Sequence, residues 1–482
     1  MLLCKWHLIL SLAPYFWYYF EMMRSKYSLY PLAAGIVIIV LGLSSCVSPL
    51  SWSSYSENLN LLDAAAWKSD MSTLESELLG HPKLKSDTAL QAQLSTAISQ
   101  AMSDIDGAPD GESRRDAAIA GISKACAIVG DGHTRINASP TARYPVALRF
   151  FPVSQSMAST EYELRVFAAS DENASLLGGK IARIGSKTVE EVLDILAPAL
   201  SIESALGKPG LEELKNAAIR AESLNAFMNP ILMRGLGLAD EQGLHLSFDT
   251  EASPTGCPAV YTVLESSDAF TWNYAIDPNA PPALSRQKPN ENIWYTIPEA
   301  HPETLYLSFQ SCESDAGPIF DEVIQLLKSS PAPNRLIIDM RTNSGGNSMP
   351  GTRFAQQLAD TEVAKRKGGV VILVGPYTFS SALMNAADIL KACGARGDPG
   401  SGNAVLAGEP LIEPMDHYGE VVRFSLPNSG LVIGRSSRLW EYSKTSGITP
   451  DNGFLGPTPD NLRAPTFEEY RRGQDPVLEM VL

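Results

Sequence analysis

The chain has 482 residues, 44% of them hydrophobic and 19% charged, which is enough apolar material for several cores and too much for a disordered polymer. Its 38 Lys and Arg against 54 Asp and Glu give a formal net charge of -16, with no polybasic tract. That balance excludes non-specific nucleic-acid binding and favours a self-repelling, well-solvated surface; the length predicts about two to four domains.

The first element is a targeting segment, residues 1–46. After Met23-Arg24-Ser25-Lys26, the run YPLAAGIVIIVLGLSSC supplies a basic start, a short apolar stretch and small residues before a cysteine. It resembles a bacterial lipoprotein signal with Leu43-Ser44-Ser45-Cys46 as lipobox, which implies lipidation of Cys46 and a membrane anchor in the cell envelope. The protein would then face the periplasm or exterior, with the outer membrane as the expected site. The preceding run MLLCKWHLILSLAPYFWYYFEM is surplus to such a signal, so translation is expected to start at Met22 or Met23. An uncleaved membrane anchor is the competing reading, and it too puts the rest of the chain outside the cytoplasm. Four cysteines remain in the body, at 126, 257, 312 and 393, without a C-x-x-C pair. This is no zinc pattern, although one or two disulfides are compatible with an oxidising compartment.

Residues 47–58 form a Ser-rich tether, and a helical region follows over 59–140. LDAAAWKSDMSTLESELLG, TALQAQLSTAISQAMSDI and SRRDAAIAGISKACAIVG each place apolar residues at helical spacing, and the first and third stop at a glycine. All three precede GDGHTRI, where His133 sits in a glycine-and-aspartate turn. Over 141–266 the texture changes to short alternating segments (VALRFF, YELRVFAA, KIARIGS) around one helical stretch, TVEEVLDILAPAL, and reads as a small β-rich module with a PDZ-like turn. A connection rich in proline and asparagine occupies 267–293.

From 294 to 482 strands and helices alternate: TLYLSF, GPIFDEVIQLLKSS, NRLIIDM, TRFAQQLADT, GGVVILVG, SALMNAADILKACG. Strands that are apolar without alternation are buried on both faces, and helices between them predict a largely parallel sheet. Two loops of this core hold candidate chemistry. Gly345-Gly346 follows the strand LIIDM, and paired glycines at a strand end can turn sharply and present unhindered amides, as an oxyanion hole requires. Ser380-Ser381 stands between VVILVG and a helix whose N-terminal amides favour developing negative charge. Serine is also a preferred helix cap, a glycine pair is commonly only a turn, and a histidine in a turn is commonly a surface residue. A serine nucleophile needs a base within reach, and His133 is the candidate, since His81, His245, His301 and His417 lack a comparable tight-turn setting.

Taken together and in order, these stretches resemble the tail-specific or C-terminal processing protease family of serine peptidases, in its tricorn-core-like branch. The resemblance runs from about Trp67 to the C-terminus. It covers W-x-x-D-M-x-x-L at 67–74 with His81-Pro82, D-G-H-T at 131–134, N-I-W-Y at 292–295, L-I-I-D-M-R-T-N-S-G-G at 336–346, T-F-S-S-A at 378–382, L-P-N-S-G-L at 426–431 and G-Q-D-P-V-L-E at 473–479. It implies an α/β fold: a crotonase/ClpP-like ββα catalytic core, a helical N-terminal region and the PDZ-like middle module. It also implies Ser380 as nucleophile, His133 as base, and an oxyanion hole from Gly345 or Gly346 with Ser381. The processing branch uses a lysine base in a Gly-Glu-Pro-Thr-x-Gly-Lys setting; here Gly408-Glu409-Pro410 leads into Leu411-Ile412-Glu413-Pro414, with no lysine, so the Ser–His arrangement is expected. That arrangement calls for an acidic third member farther along the chain, Glu441 in RLWEYSK or its competitor Glu420. Many members carry glutamate three residues after the nucleophile, where this chain has Leu383. The implied activity is hydrolysis of extracytoplasmic peptides or proteins through an acyl-enzyme. The alternative is a ligand- or peptide-binding protein on the same fold without catalysis. No H-E-x-x-H, phosphate loop or dinucleotide fingerprint indicates a metal or organic cofactor.

Overall fold

In the computed structural model the described residues are 53–55, 58–155, 161–313 and 315–482, and Ser51–Leu482 make one compact unit. The proposed signal, Cys46 and most of the tether lie outside the described residues. Among those described, no helix is long and apolar enough to cross a membrane.

The three expected N-terminal helices are present as α1 (Ala64–Leu78), α2 (Thr88–Gly107) and α3 (Gly111–Ile128). Each starts on an aspartate side chain that accepts an amide of the first turn, from Asp63, Asp87 and Asp110 respectively. Their apolar stripes close on one another around Trp67, Met71, Leu94, Ile98 and Ile122, all buried. Beyond α3 the chain turns through Gly130 to His133 and enters the short strand β1 (Arg135–Ile136).

The middle residues are strand-rich, as their alternation predicts. Strands β2 (Val146–Pro152) and β3 (Tyr162–Ala169) pair antiparallel, and a second sheet contains β4 (Ile181–Ile184), β5 (Leu244–Phe248) and β6 (Val260–Val263). TVEEVLDIL becomes helix α4 (Val189–Leu196), opened by a reciprocal capping box between Thr188 and Glu191. A second helix here, α5 (Glu212–Phe227), is absent from the sequence reading. Half of its buried face is alanine, at 218, 221 and 226, and charges stand beside it, so its apolar period is faint although the residues are good helix formers.

The C-terminal core is a five-stranded sheet in the order β7 (Ile293–Thr296), β8 (Thr304–Phe309), β9 (Arg335–Asp339), β10 (Val370–Val374), β11 (Val405–Gly408). Only β7 runs antiparallel; the other neighbours are parallel. Helices α6 (Ala316–Leu327), α7 (Met349–Leu358) and α8 (Ser381–Ala392) cover one face. The C-terminal residues Val477, Leu478 and Val481 cover the other, against Trp294, Tyr306 and Ile337. Burial on both faces is the reason these strands read as unbroken apolar runs. The four body cysteines are all free thiols, so the disulfides allowed by the sequence do not form.

A long hairpin of β12 (Asp416–Ser425) and β13 (Val432–Glu441) extends from this core. The second hairpin strand pairs with β1, Ile433 opposite Ile136 and Gly434 opposite Arg135, so the His133 turn is stitched to the C-terminal core. At the tip, the buried Asp70 carboxylate of α1 accepts the Asn428 amide (2.9 Å), the Asn428 side chain (2.8 Å) and the Ser429 amide (2.8 Å). The aspartate of W-x-x-D-M and the turn of L-P-N-S-G-L are therefore two halves of one contact. Asp70→Ala would leave these donors unpaired and is expected to lower unfolding stability by roughly 3 kcal/mol in a denaturant titration, with Asp70→Asn losing less.

Candidate active site

Ser380 lies at the sharp turn between β10 and α8. Its backbone, at φ 55 and ψ -125, is one of two non-glycine positive-φ residues among those described. A side-chain-bearing residue in that region is strained, and the strain is held by its surroundings. Phe379 N–H donates to Asn343 O (3.0 Å), Thr378 Oγ1 donates to Met340 O (2.8 Å), and Gly375 N–H donates to Thr378 Oγ1 (3.1 Å). Neither serine hydroxyl caps the helix: Ser380 makes no side-chain cap bond, and Ser381 Oγ donates to Gly346 O (2.7 Å).

The glycine loop packs directly on this turn. Gly345 and Gly346 have φ of 99 and 133, and a Cβ on Gly345 would stand 2.9 Å from Ser380 Cβ and 3.1 Å from Ser381 N. The Gly345 amide donates to Asn343 Oδ1 (3.0 Å), so it is already used. Gly346 N–H has no backbone acceptor among the described residues, and Ser381 N–H, first in its helix, lacks an intrahelical one. These are the two amides open to a developing oxyanion. Arg341, just upstream, anchors the loop through paired contacts to Asp339 (2.6 and 2.9 Å) and Asp475 (both 2.8 Å). Asp475 is the acid of the G-Q-D-P-V-L-E stretch, which assigns that motif a positioning task.

His133 is largely buried, with its ring 4.5 Å from the Phe379 ring. Its turn is held by Asp131, whose Oδ1 accepts His133 N–H (3.0 Å) and whose Oδ2 accepts Thr134 Oγ1 (2.6 Å) and lies 3.2 Å from His81 Nε2. His81 Nδ1 accepts Lys83 N–H, which puts the His81 proton on Nε2, facing Asp131. Burial by itself would raise the Asp131 carboxyl, but the His133 and His81 imidazoles and the Thr134 hydroxyl hold it well below the usual carboxylate range. From the middle residues, Glu203 Oε1 accepts Gly132 N–H (2.9 Å) and Ser201 Oγ donates to Thr134 O (2.7 Å).

No protein-family model matches this chain, and no curated protein matches it. Among solved structures it is similar to mature CPAF complexed with lactacystin, at a TM-score of 0.49 and 12% identity over 87% of this chain and 97% of that one. It is also similar to the photosystem II D1 C-terminal processing protease, at a TM-score of 0.36 and 12% identity over 85% and 98% of the two chains. A third likeness is to a putative S41 protease from Bacteroides fragilis, at a TM-score of 0.32 and 10% identity over 73% and 86%.

The acidic residue beside His133 is not the expected one. Glu441 is exposed at the end of the hairpin, ion-paired with Lys444, and Glu420 is an exposed hairpin residue paired with Arg438 (3.7 Å). Among the described residues, the carboxylates within 4.0 Å of the His133 ring are Asp131 (3.6 Å) and Glu413 (3.7 Å), both to Nδ1. Glu413 is fully buried, and its other oxygen accepts the Ser380 amide in a short hydrogen bond. It thus spans the gap between histidine and serine. His417, Nδ1 toward the carbonyls of Pro414 and Met415 (3.2 Å each), lies 4.0 Å from the same carboxylate. Both residues sit in the segment that the sequence marked only by a missing lysine. A glutamate between isoleucine and proline in an otherwise apolar stretch was the available signal. Ser380 Oγ and His133 Nε2 are not hydrogen-bonded, and both His133 ring nitrogens are buried without a partner.

Burial pushes the Glu413 carboxyl up from 4.5 to about 7, against a smaller lowering by His133. A raised folded-state value favours the folded state most below 4.5, and the advantage is lost as pH rises through about 7. Glu413→Gln removes that dependence while retaining an acceptor for the Ser380 amide. Its stability relative to wild type is expected to climb by up to about 3 kcal/mol between about pH 4 and about pH 8 in paired denaturant titrations.

Proposed function

We propose that the protein is a serine peptidase that hydrolyses peptide bonds through an acyl-enzyme. The observation that carries this reading is the strained Ser380 at a strand-to-helix turn, with two open amides on one side and the His133–Glu413 pair on the other. In this reaction His133 Nε2 takes the Ser380 proton as Oγ attacks the peptide carbonyl. The proton is then delivered to the leaving amine. The Gly346 and Ser381 amides receive the oxyanion, and water releases the acyl group by the same steps in reverse. Glu413 faces Nδ1 at 3.7 Å, where an ionised carboxylate offsets the charge of the imidazolium and, on closing to hydrogen-bond distance, would hold the tautomer with a lone pair on Nε2. Catalytic hydrogen bonds are often looser before substrate binds, and the reading requires His133 Nε2 to come within hydrogen-bond reach of Ser380 Oγ during the reaction.

Labelling with a fluorophosphonate probe tests this. Wild type should label, and Ser380→Ala should lose all signal. Glu413→Gln should fold and lower kcat by on the order of a hundredfold or more, as wrong-tautomer variants of serine triads do. Unlabelled wild type beside a labelled reference peptidase would return the non-catalytic binding reading. Substrates would be extracytoplasmic peptides or proteins. This rests on the Leu43–Cys46 lipobox, and Cys46→Ala is expected to move the protein from the membrane fraction to the soluble one.

A further inference from the structure

Around His133 the structure gathers more acid than one triad needs. Donor atoms of Asp131, His133 and Glu203 all lie within 4.8 Å of one another, and Asp131, Glu203 and Glu413 are buried. We propose that Asp131, His133 and Glu203, with Glu413 alongside, bind a divalent transition-metal ion that reversibly blocks the site.

The geometry is close to a metal's requirements. Ligands at about 2.0–2.1 Å in a tetrahedron stand about 3.3 Å apart, and His133 Nδ1 is 3.6 Å from Asp131 Oδ1 and 3.7 Å from Glu413 Oε1. Those separations are too long for hydrogen bonds, and His133 Nδ1 and Glu413 Oε1 are both buried with no partner. An ion between them would satisfy atoms that otherwise pay for their desolvation. The outer contacts are already in place: Asp131 is oriented by His81 and Thr134, and Glu203 by the Gly132 amide. Lys83 and Arg135 are nearby cations: Lys83 Nζ is committed to Val129 O (2.7 Å) and Ser204 Oγ (2.8 Å), and Arg135 pairs with Glu222 (3.4 Å). One imidazole with carboxylates and no thiolate suits zinc, cobalt or nickel, whereas calcium and magnesium need more oxygens than the pocket offers.

The inhibitory part rests on the peptidase reading above. A metal on Nδ1 leaves the remaining imidazole proton on Nε2, where the lone pair that accepts the Ser380 proton must be. The ion therefore turns the base off without touching the serine.

The experiment separates the two parts. Full-length Ser380→Ala, freed of metal with a chelator, is titrated with Co²⁺ and followed by visible absorbance. One equivalent should bind with the strong bands of a low-coordinate site. His133→Ala and Glu203→Gln, each in that background, should weaken binding on the order of 10–100-fold, with folding checked by thermal melting. Zn²⁺ should displace the cobalt, and Mg²⁺ or Ca²⁺ should not. Absence of the bands, or affinity unchanged in both ligand variants, overturns the site. In the wild type, Zn²⁺ should abolish fluorophosphonate labelling and a chelator restore it; labelling that persists in the metal-saturated enzyme overturns the block. If chelated wild type never labels, the peptidase reading has failed, and the cobalt titration still decides the metal site.

Discussion

Two residue pairs, Ile136 with Ile433 and Arg135 with Gly434, join the strand that leaves the His133 turn to the hairpin of the C-terminal core. The histidine and the serine are separated by most of the folded chain, and neither has chemistry alone. Strand pairing brings them into one pocket, and Asp70 anchors the far end of the same hairpin on the N-terminal helices. Thr134 ties the two again: its hydroxyl donates to Asp131 and accepts the Ser436 amide (3.3 Å). The site is an interface inside one chain, and its integrity depends on the helical region remaining docked.

The pocket is also electrostatically expensive. Three carboxylates are buried within reach of one imidazole, and burial of that density is tolerated only where hydrogen bonds and opposite charge compensate. Asp131 is fully compensated and stays ionised, while Glu203 and Glu413 are pushed toward the neutral form. Carboxylates whose proton affinities are driven apart in this way are what acid–base chemistry draws on. The same surplus of negative charge is what makes the pocket receptive to a cation.

Much of this was legible before folding was considered. The strands and helices of the C-terminal core announced themselves as apolar runs between periodic segments, because double-sided burial removes alternation. Ser380, Gly345-Gly346 and His133 stood out as small or reactive residues at element ends. The third acid did not. Glu441 met a spacing expectation, yet the hairpin directs it into solvent, whereas Glu413 had no motif of its own and acquired its place from the packing of its apolar neighbours Leu411, Ile412 and Met415. Helix α5 escaped notice because alanine buries without advertising a period.

By itself, the sequence determined most of the strands and helices of the C-terminal core, the three N-terminal helices, and which residue types could do chemistry, since period, glycine conformation and side-chain type are local properties. Tertiary structure alone decided which carboxylate meets His133, which glycine amide stays open, and that neither serine caps its helix. Those outcomes depend on distances between segments remote in the chain, set by strand register and side-chain packing rather than by any local pattern.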